Sequence, residues 1–119
     1  MKGIEYAYAF FYPFHFSEEV EMLESKYQAH IIKRLEILFP GCVVIKNDPN
    51  YIQGIPDLLV LFQSFWAALE VKVSATARKR PNQEYFIDRL GRMSFAAFIY
   101  PENEEEVLYE LQQAFGTDR

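Results

Sequence analysis

Residues 54–72 read GIPDLLVLFQSFWAALEVK, and the fold turns on how they divide. Two apolar runs, 58–62 and 65–73, lie close enough to form a β-hairpin turning near Gln63-Ser64. The turn lacks glycine, so its type is not readable. Charge sits at the rims: Asp57 opens the first run, and Glu70 and Lys72 close the second. Side chains alternate faces along a strand, so Glu70 and Lys72 point one way and Val71 the other. The hairpin can then set Asp57 beside Glu70. A charge beside a core is costly unless it is paired, hydrogen-bonded or bound to metal. Two carboxylates alone repel, and one is expected to take up a proton. A divalent cation resolves that conflict, and hard oxygen ligands with room left for water and phosphate oxygens suit Mg²⁺ or Mn²⁺. Lys72 can then orient a nucleophile and stabilise charge developing on a phosphate. That is the chemistry of phosphodiester hydrolysis.

Working outward, Ser17 followed by Glu18, Glu19 and Glu21 marks a helix start with a capping hydroxyl. Val20, Leu23, Tyr27, Ile31, Leu35 and Leu38 then recur at helical spacing until Pro40-Gly41 stops the pattern. Glu24 lies at the edge of this stripe, one turn before Gln28, on the side that faces the sheet. Val43–Lys46 is a short β-branched run, and Asn47-Asp48-Pro49-Asn50 is turn chemistry. Beyond the hairpin, Pro81 suits a first helical position, Phe86, Ile87 and Leu90 form an apolar face, and Gly91 is a C-terminal stop. Gln83 shares that face. Residues 94–100 read as a buried strand ended by Pro101. A last helix starts at Asn103, capped in a box with Glu106, and turns Val107, Leu108, Leu111, Ala114 and Phe115 inward. The order predicts an α/β fold, a mixed sheet with helices on its faces.

Composition sets the bounds. At 119 residues, half of them hydrophobic, the chain fits one domain with one core. Residues 1–16 form an aromatic arm or strand and residues 17–119 the domain core. A single cysteine, Cys42, excludes an intrachain disulfide, and a reducing, cytoplasmic setting with a buried, inert thiol is the simplest reading. The N-terminal MKGIEYAYAFFYPFHF lacks a small-residue cleavage site, carries Glu5, and is broken by Pro13, so neither a secretion signal nor a membrane span is expected. Counting Lys and Arg against Asp and Glu, residues 1–71 carry 5 against 9, residues 72–92 carry 6 against 2, and residues 93–119 carry 1 against 6. Arg78, Lys79, Arg80, Arg89 and Arg92 thus make a basic patch in a chain of formal charge −5. Nucleic acid responds to the patch rather than to the average, through sequence-independent phosphate contacts. His15 and His30 lack metal-ligand spacing, and no Gly-rich phosphate loop for a nucleotide cofactor is present.

Pro56-Asp57 with Glu70-Val71-Lys72, in this element order, resembles the PD-(D/E)xK nuclease superfamily. Gly54-Ile55-Pro56-Asp57, the Glu-x-Lys, Gln83 opening the next helix, and Glu24 with Gln28 on the first helix are most similar to its VRR-NUC branch of virus-type replication-repair nucleases, in a stand-alone minimal form. The resemblance spans about residues 24–115. It implies a restriction-endonuclease-like core (αβββαβ) with an extra C-terminal helix, and a Mg²⁺- or Mn²⁺-dependent endodeoxyribonuclease. Asp57, Glu70 and the Val71 backbone carbonyl would hold the metal. Glu24 would hold a second metal or its water shell, Lys72 would position water, and Gln83 would fix the lysine or a phosphate, with Gln28 as support. It further implies a phage or bacterial homodimer acting in DNA repair on branched DNA such as four-way (Holliday) junctions. A restriction-type or flap nuclease on the same site, and a catalytically silent DNA-binding module, are the alternatives. So are the plainer readings of Asp57 as a turn residue and of Glu70 with Lys72 as an exposed edge pair.

Overall fold

The computed structural model describes residues 16–117, with side chains from Leu23 onward. Among them seven elements follow in the expected order. These are α1 (Phe16–Leu38), β1 (Val43–Lys46), β2 (Leu58–Phe62), β3 (Phe65–Val71), α2 (Pro81–Met93), β4 (Phe95–Ile99) and α3 (Glu104–Ala114). The strands form one mixed sheet in the order β1-β2-β3-β4. β1, β2 and β3 are antiparallel neighbours, and α2 provides the crossover that lets β4 run parallel to β3. The expected aromatic arm and its part in dimerisation lie outside the described residues.

Period-two burial divides the sheet. Leu58, Val60 and Phe62 of β2 and Ala67, Leu69 and Val71 of β3 are buried on one face. They meet Ile31 and Leu35 of α1, Phe39 just beyond it, and Val107, Leu108 and Leu111 of α3. The spacing of Ile31, Leu35 and Phe39 puts all three on one side of the α1 axis. The far end is closed by rings, with Phe39 and Phe115 edge to face at 5.0 Å. α2 covers part of the opposite face, where a Cβ on Gly91 would sit 3.9 Å from Ala96.

The β2–β3 hairpin closes on Phe62 opposite Phe65, leaving the expected two-residue loop. Gln63 takes a φ of 56° there, the left-handed backbone that two-residue hairpin loops require. Four boundaries differ from expectation. α2 runs through Gly91 to Met93 and is capped at Ser94, so Gly91 is not its stop but lies inside the helix where it passes Ala96. β3 stops at Val71, not 73, because its partner β4 runs out: Lys72 N–H still donates to Ile99 O at 2.9 Å, and Pro101 has no N–H to offer. β4 spans only Phe95–Ile99, since Ser94 N–H is taken by Leu90 O as the cap of α2. Ser17 falls one residue inside α1 rather than before it.

The expected capping box at α3 is replaced by a different bond pattern. Asn103 precedes the helix, but its Oδ1 accepts Tyr100 N–H at 2.8 Å and its Nδ2 donates to Phe98 O at 3.0 Å. The side chain thus ties the end of β4 to the turn behind it. Cys42 is half-buried, its Sγ 3.7 Å from Leu35 O, and burial pushes the thiol up, in keeping with an unreactive group. No helix among the described residues is long and apolar enough to cross a membrane.

Candidate metal centre

The β2–β3 register, extended one step beyond Leu58 opposite Leu69, sets Asp57 across from Glu70. Both therefore lie on the sheet face that α2 covers. Glu24 approaches from α1, and one carboxylate oxygen from each of Glu24, Asp57 and Glu70 lies within 4.8 Å of the others. Asp57 is fixed from two sides. Its Oδ2 accepts Val71 N–H at 3.0 Å. Its carbonyl accepts Asn47 N–H at 2.9 Å, while Asn47 Nδ2 donates to Pro56 O at 2.8 Å. Glu70 is 3% exposed.

Gln83, in the first turn of α2, links the carboxylate to the lysine. Its Oε1 accepts Lys72 Nζ at 2.9 Å and Arg80 N–H at 3.0 Å, and its Nε2 donates to Glu70 Oε2 at 3.1 Å. Only this amide orientation works, because the reverse would set an NH₂ against an ammonium and an oxygen against a carboxylate. Lys72 Nζ lies 3.7 Å from Glu70 Oε2. Glu70 Oε1 is buried with no hydrogen-bond partner. A buried acceptor without a partner among the described residues carries a desolvation penalty.

Burial first, then the Asp57 and Glu24 charges, push the Glu70 carboxyl up to about 8 against the opposing pull of Lys72. Burial also raises Asp57, against the Val71 N–H and Lys72. Three carboxylates thus converge here, with the Lys72 ammonium beside Glu70.

The fold brings Glu24, Asp57, Glu70, Lys72 and Gln83 together. Val71 ends β3 beside them, and Gln28 is half-buried on α1 one turn after Glu24. The basic residues are distributed differently. Lys79 Nζ sits over the Phe98 and Tyr100 rings, at 5.2 and 5.5 Å from their centroids, and holds the 72–80 segment against β4. Arg78 and Arg80 are exposed on the same segment. Arg89 donates to the Tyr85 hydroxyl at 2.8 Å and Arg92 to Asp88 at 2.6 Å, both along the exposed side of α2.

Sequence reasoning missed Asn47 and the role of Gly54. Gly54 has a φ of +86°, and a Cβ there would lie 2.7 Å from the Asn82 backbone carbon and 2.8 Å from its Cβ. The loop before Asp57 can press against the first turn of α2, next to Gln83, only because this residue is glycine. Gly54→Ala is expected to cost about 1–3 kcal/mol through strain and contact, read as a lower urea midpoint. Adding Asn82→Ala should not restore it, since the backbone carbon remains. Full recovery in the double variant would show that the close approach is not what constrains this loop.

No protein-family model, curated protein or solved structure matches the chain.

Proposed function

We propose that this chain is a divalent-cation-dependent endodeoxyribonuclease of the PD-(D/E)xK type, with a restriction-endonuclease-like core, cutting branched DNA as a homodimer. The observation that carries the reading is the buried, unpartnered Glu70 Oε1 within a set of three carboxylates that also faces an ordered lysine. A donor set made only of hard oxygens fits Mg²⁺ or Mn²⁺ and leaves softer metals no nitrogen or sulfur ligand. Asp57, Glu70 and the Val71 carbonyl would hold the cation, with Glu24 as a further carboxylate. When bound, it would supply Lewis-acid stabilisation of charge on the scissile phosphate.

The chain's own groups carry the rest. Gln83 takes one Lys72 proton as acceptor and thereby aims the ammonium, which keeps its remaining donors for a water or a phosphoryl oxygen. Glu70 is bonded to Gln83 through Oε2, while its buried Oε1 has no hydrogen-bond partner among the described residues. Asp57 is held in place by Val71 N–H, which donates to its Oδ2. Arg78 and Arg80, exposed on the segment between Lys72 and Gln83, would supply contacts to the DNA backbone. Preference for branched DNA and for a dimer rests on the VRR-NUC resemblance.

The test is a panel of linear duplex, flapped and four-way DNA incubated with the full chain and Mg²⁺. Cutting of the four-way substrate is expected, and Lys72→Met should lower it by about 10²–10³-fold, the size of a lost transition-state charge contact. Flap-only cutting would move the reading to a flap nuclease. No cutting of any substrate, together with no heat of Mg²⁺ or Mn²⁺ binding by calorimetry, would leave a binding module instead.

A further inference from the structure

We propose that the aromatic segment preceding α1, residues 6–15, seats in an apolar cleft beside the carboxylate cluster. The cleft has a volume of about 570 Å³ and is lined chiefly by Ile52, Ile55, Leu59, Trp66, Ala68 and Leu90. This is within the size of sites that bury whole ligands, yet among the described residues no Lys or Arg lines it to recognise an anionic one, and Asn47, Asp48 and Tyr51 are its polar lining. It opens on the sheet face that carries the site: Ala68 shares a face with Glu70 two residues on, and Ile55 precedes Asp57 by two.

The apolar surface continues past the cleft. Val43 and Ile45 of β1, which pair with Leu61 and Leu59, are 54% and 42% exposed. α2, the helix over this face, has no buried residue. A contiguous face of this kind marks something that covers it.

The same chain holds a second unmatched apolar surface. From Tyr6 to Phe16 the sequence YAYAFFYPFHF has seven Phe or Tyr rings and no Asp, Glu, Lys or Arg. α1 begins at Phe16, eight residues before Glu24, so the segment enters about 12 Å beyond the carboxylates along the helix. Ten extended residues reach roughly 33 Å, enough to turn back over the same sheet face. A tethered segment has the advantage of high effective concentration over a separate molecule. Tyr6, Tyr8 and Phe10 alternate with Ala7 and Ala9, so an extended segment would turn its rings to one side while the alanines let it lie close. The inference does not depend on whether the carboxylates cut DNA.

Trp66 is the only tryptophan in the chain, so its fluorescence reports on the cleft. In the full chain, Tyr8→Ser with Phe10→Ser should shift its emission to the red and increase its quenching by acrylamide. A photoreactive benzoylphenylalanine replacing Phe10, which keeps the ring, should cross-link to residues 51–55, to Trp66 or to Leu90 of its own chain. Mixing isotopically heavy and light chains separates own-chain from between-chain products. Unchanged Trp66 emission and quenching in a folded double variant would overturn the proposal. Cross-links that map to another face, or only between heavy and light chains, would do the same; if the serine variant fails to fold, the cross-link map decides.

Discussion

Glu70→Gln is expected to abolish metal-dependent cleavage, by about 10²–10³-fold or more, while stabilising the metal-free protein at pH 8. The two effects share one cause. Burial, together with the Asp57 and Glu24 charges and against Lys72, pushes the Glu70 carboxyl up to about 8 from an ordinary value of 4.5. The folded state therefore binds a proton that the unfolded chain has already released. Stability linked to this group is fully present below about pH 4.5 and is lost as pH rises toward 8. Glutamine mimics the protonated acid at every pH. It can still accept from Gln83 Nε2 through its oxygen, and its NH₂ takes the place of the unpartnered Oε1 near the Asp57 carboxylate. Urea unfolding in the presence of a chelator should show the variant matching wild type near pH 5 and exceeding it at pH 8. Adding Mg²⁺ at pH 8 should stabilise wild type and leave the variant unchanged, because ligands that bind only the folded state add stability. A variant as unstable relative to wild type at pH 8 as at pH 5 would mean that Glu70 is not the strained acid described here.

This coupling of strain and chemistry explains how much of the site was legible in the sequence. Asp57, Glu70 and Lys72 were readable because strand alternation and a short hairpin are local rules: a two-residue loop at Gln63-Ser64 fixes the register, and the register fixes which carboxylates meet. Glu24 and Gln83 could be placed on inward helix faces by periodicity, but their convergence on Glu70 needed the tertiary fold. Asn103 shows where local rules fail. Its spacing to Glu106 fits a capping box, yet two backbone groups at the end of β4 compete for the same amide and win. Lys79 likewise read as one of a run of surface charges, whereas the parallel placement of β4 brings Phe98 and Tyr100 under it. Nothing in the sequence near Gly54 announces Asn82, which is distant along the chain and near only once α2 is docked. The errors fall where a side chain's partner lies outside its own element.

The largest such omission yields the largest expected loss of stability. Glu104, at the start of α3, is 9% exposed and binds three groups of α1: Tyr27 Oη at 2.9 Å, His30 Nε2 at 2.8 Å and Arg34 Nη1 at 2.8 Å. Arg34 also pairs with Glu105. The partners are 77, 74 and 70 residues away in sequence, so no local pattern reveals them. On α1, Tyr27, His30 and Arg34 follow helical spacing, so one carboxylate is gripped by one helix face. Burial and the Glu104 charge push the Tyr27 hydroxyl up, which keeps it a donor. Burial alone would raise Glu104, but its bonds to Arg34, His30 and Tyr27 outweigh burial and hold it below the ordinary 4.5. Glu104→Ala removes the common acceptor and leaves a half-buried phenol and a guanidinium without it. The expected cost is about 2–3 kcal/mol, below the upper range for a lost buried partner because His30 and Arg34 keep access to water. For a domain of this size that lowers Tm by roughly 10 °C. The sign with pH is opposite to that of Glu70: a depressed carboxylate contributes stability above about pH 4.5 that is lost as pH falls through its folded value. Glu104→Gln should therefore lose its disadvantage relative to wild type on acidification. Equal stability of wild type and Glu104→Ala at pH 7 would mean that α3 is held to α1 by Val107, Leu108 and Leu111 alone.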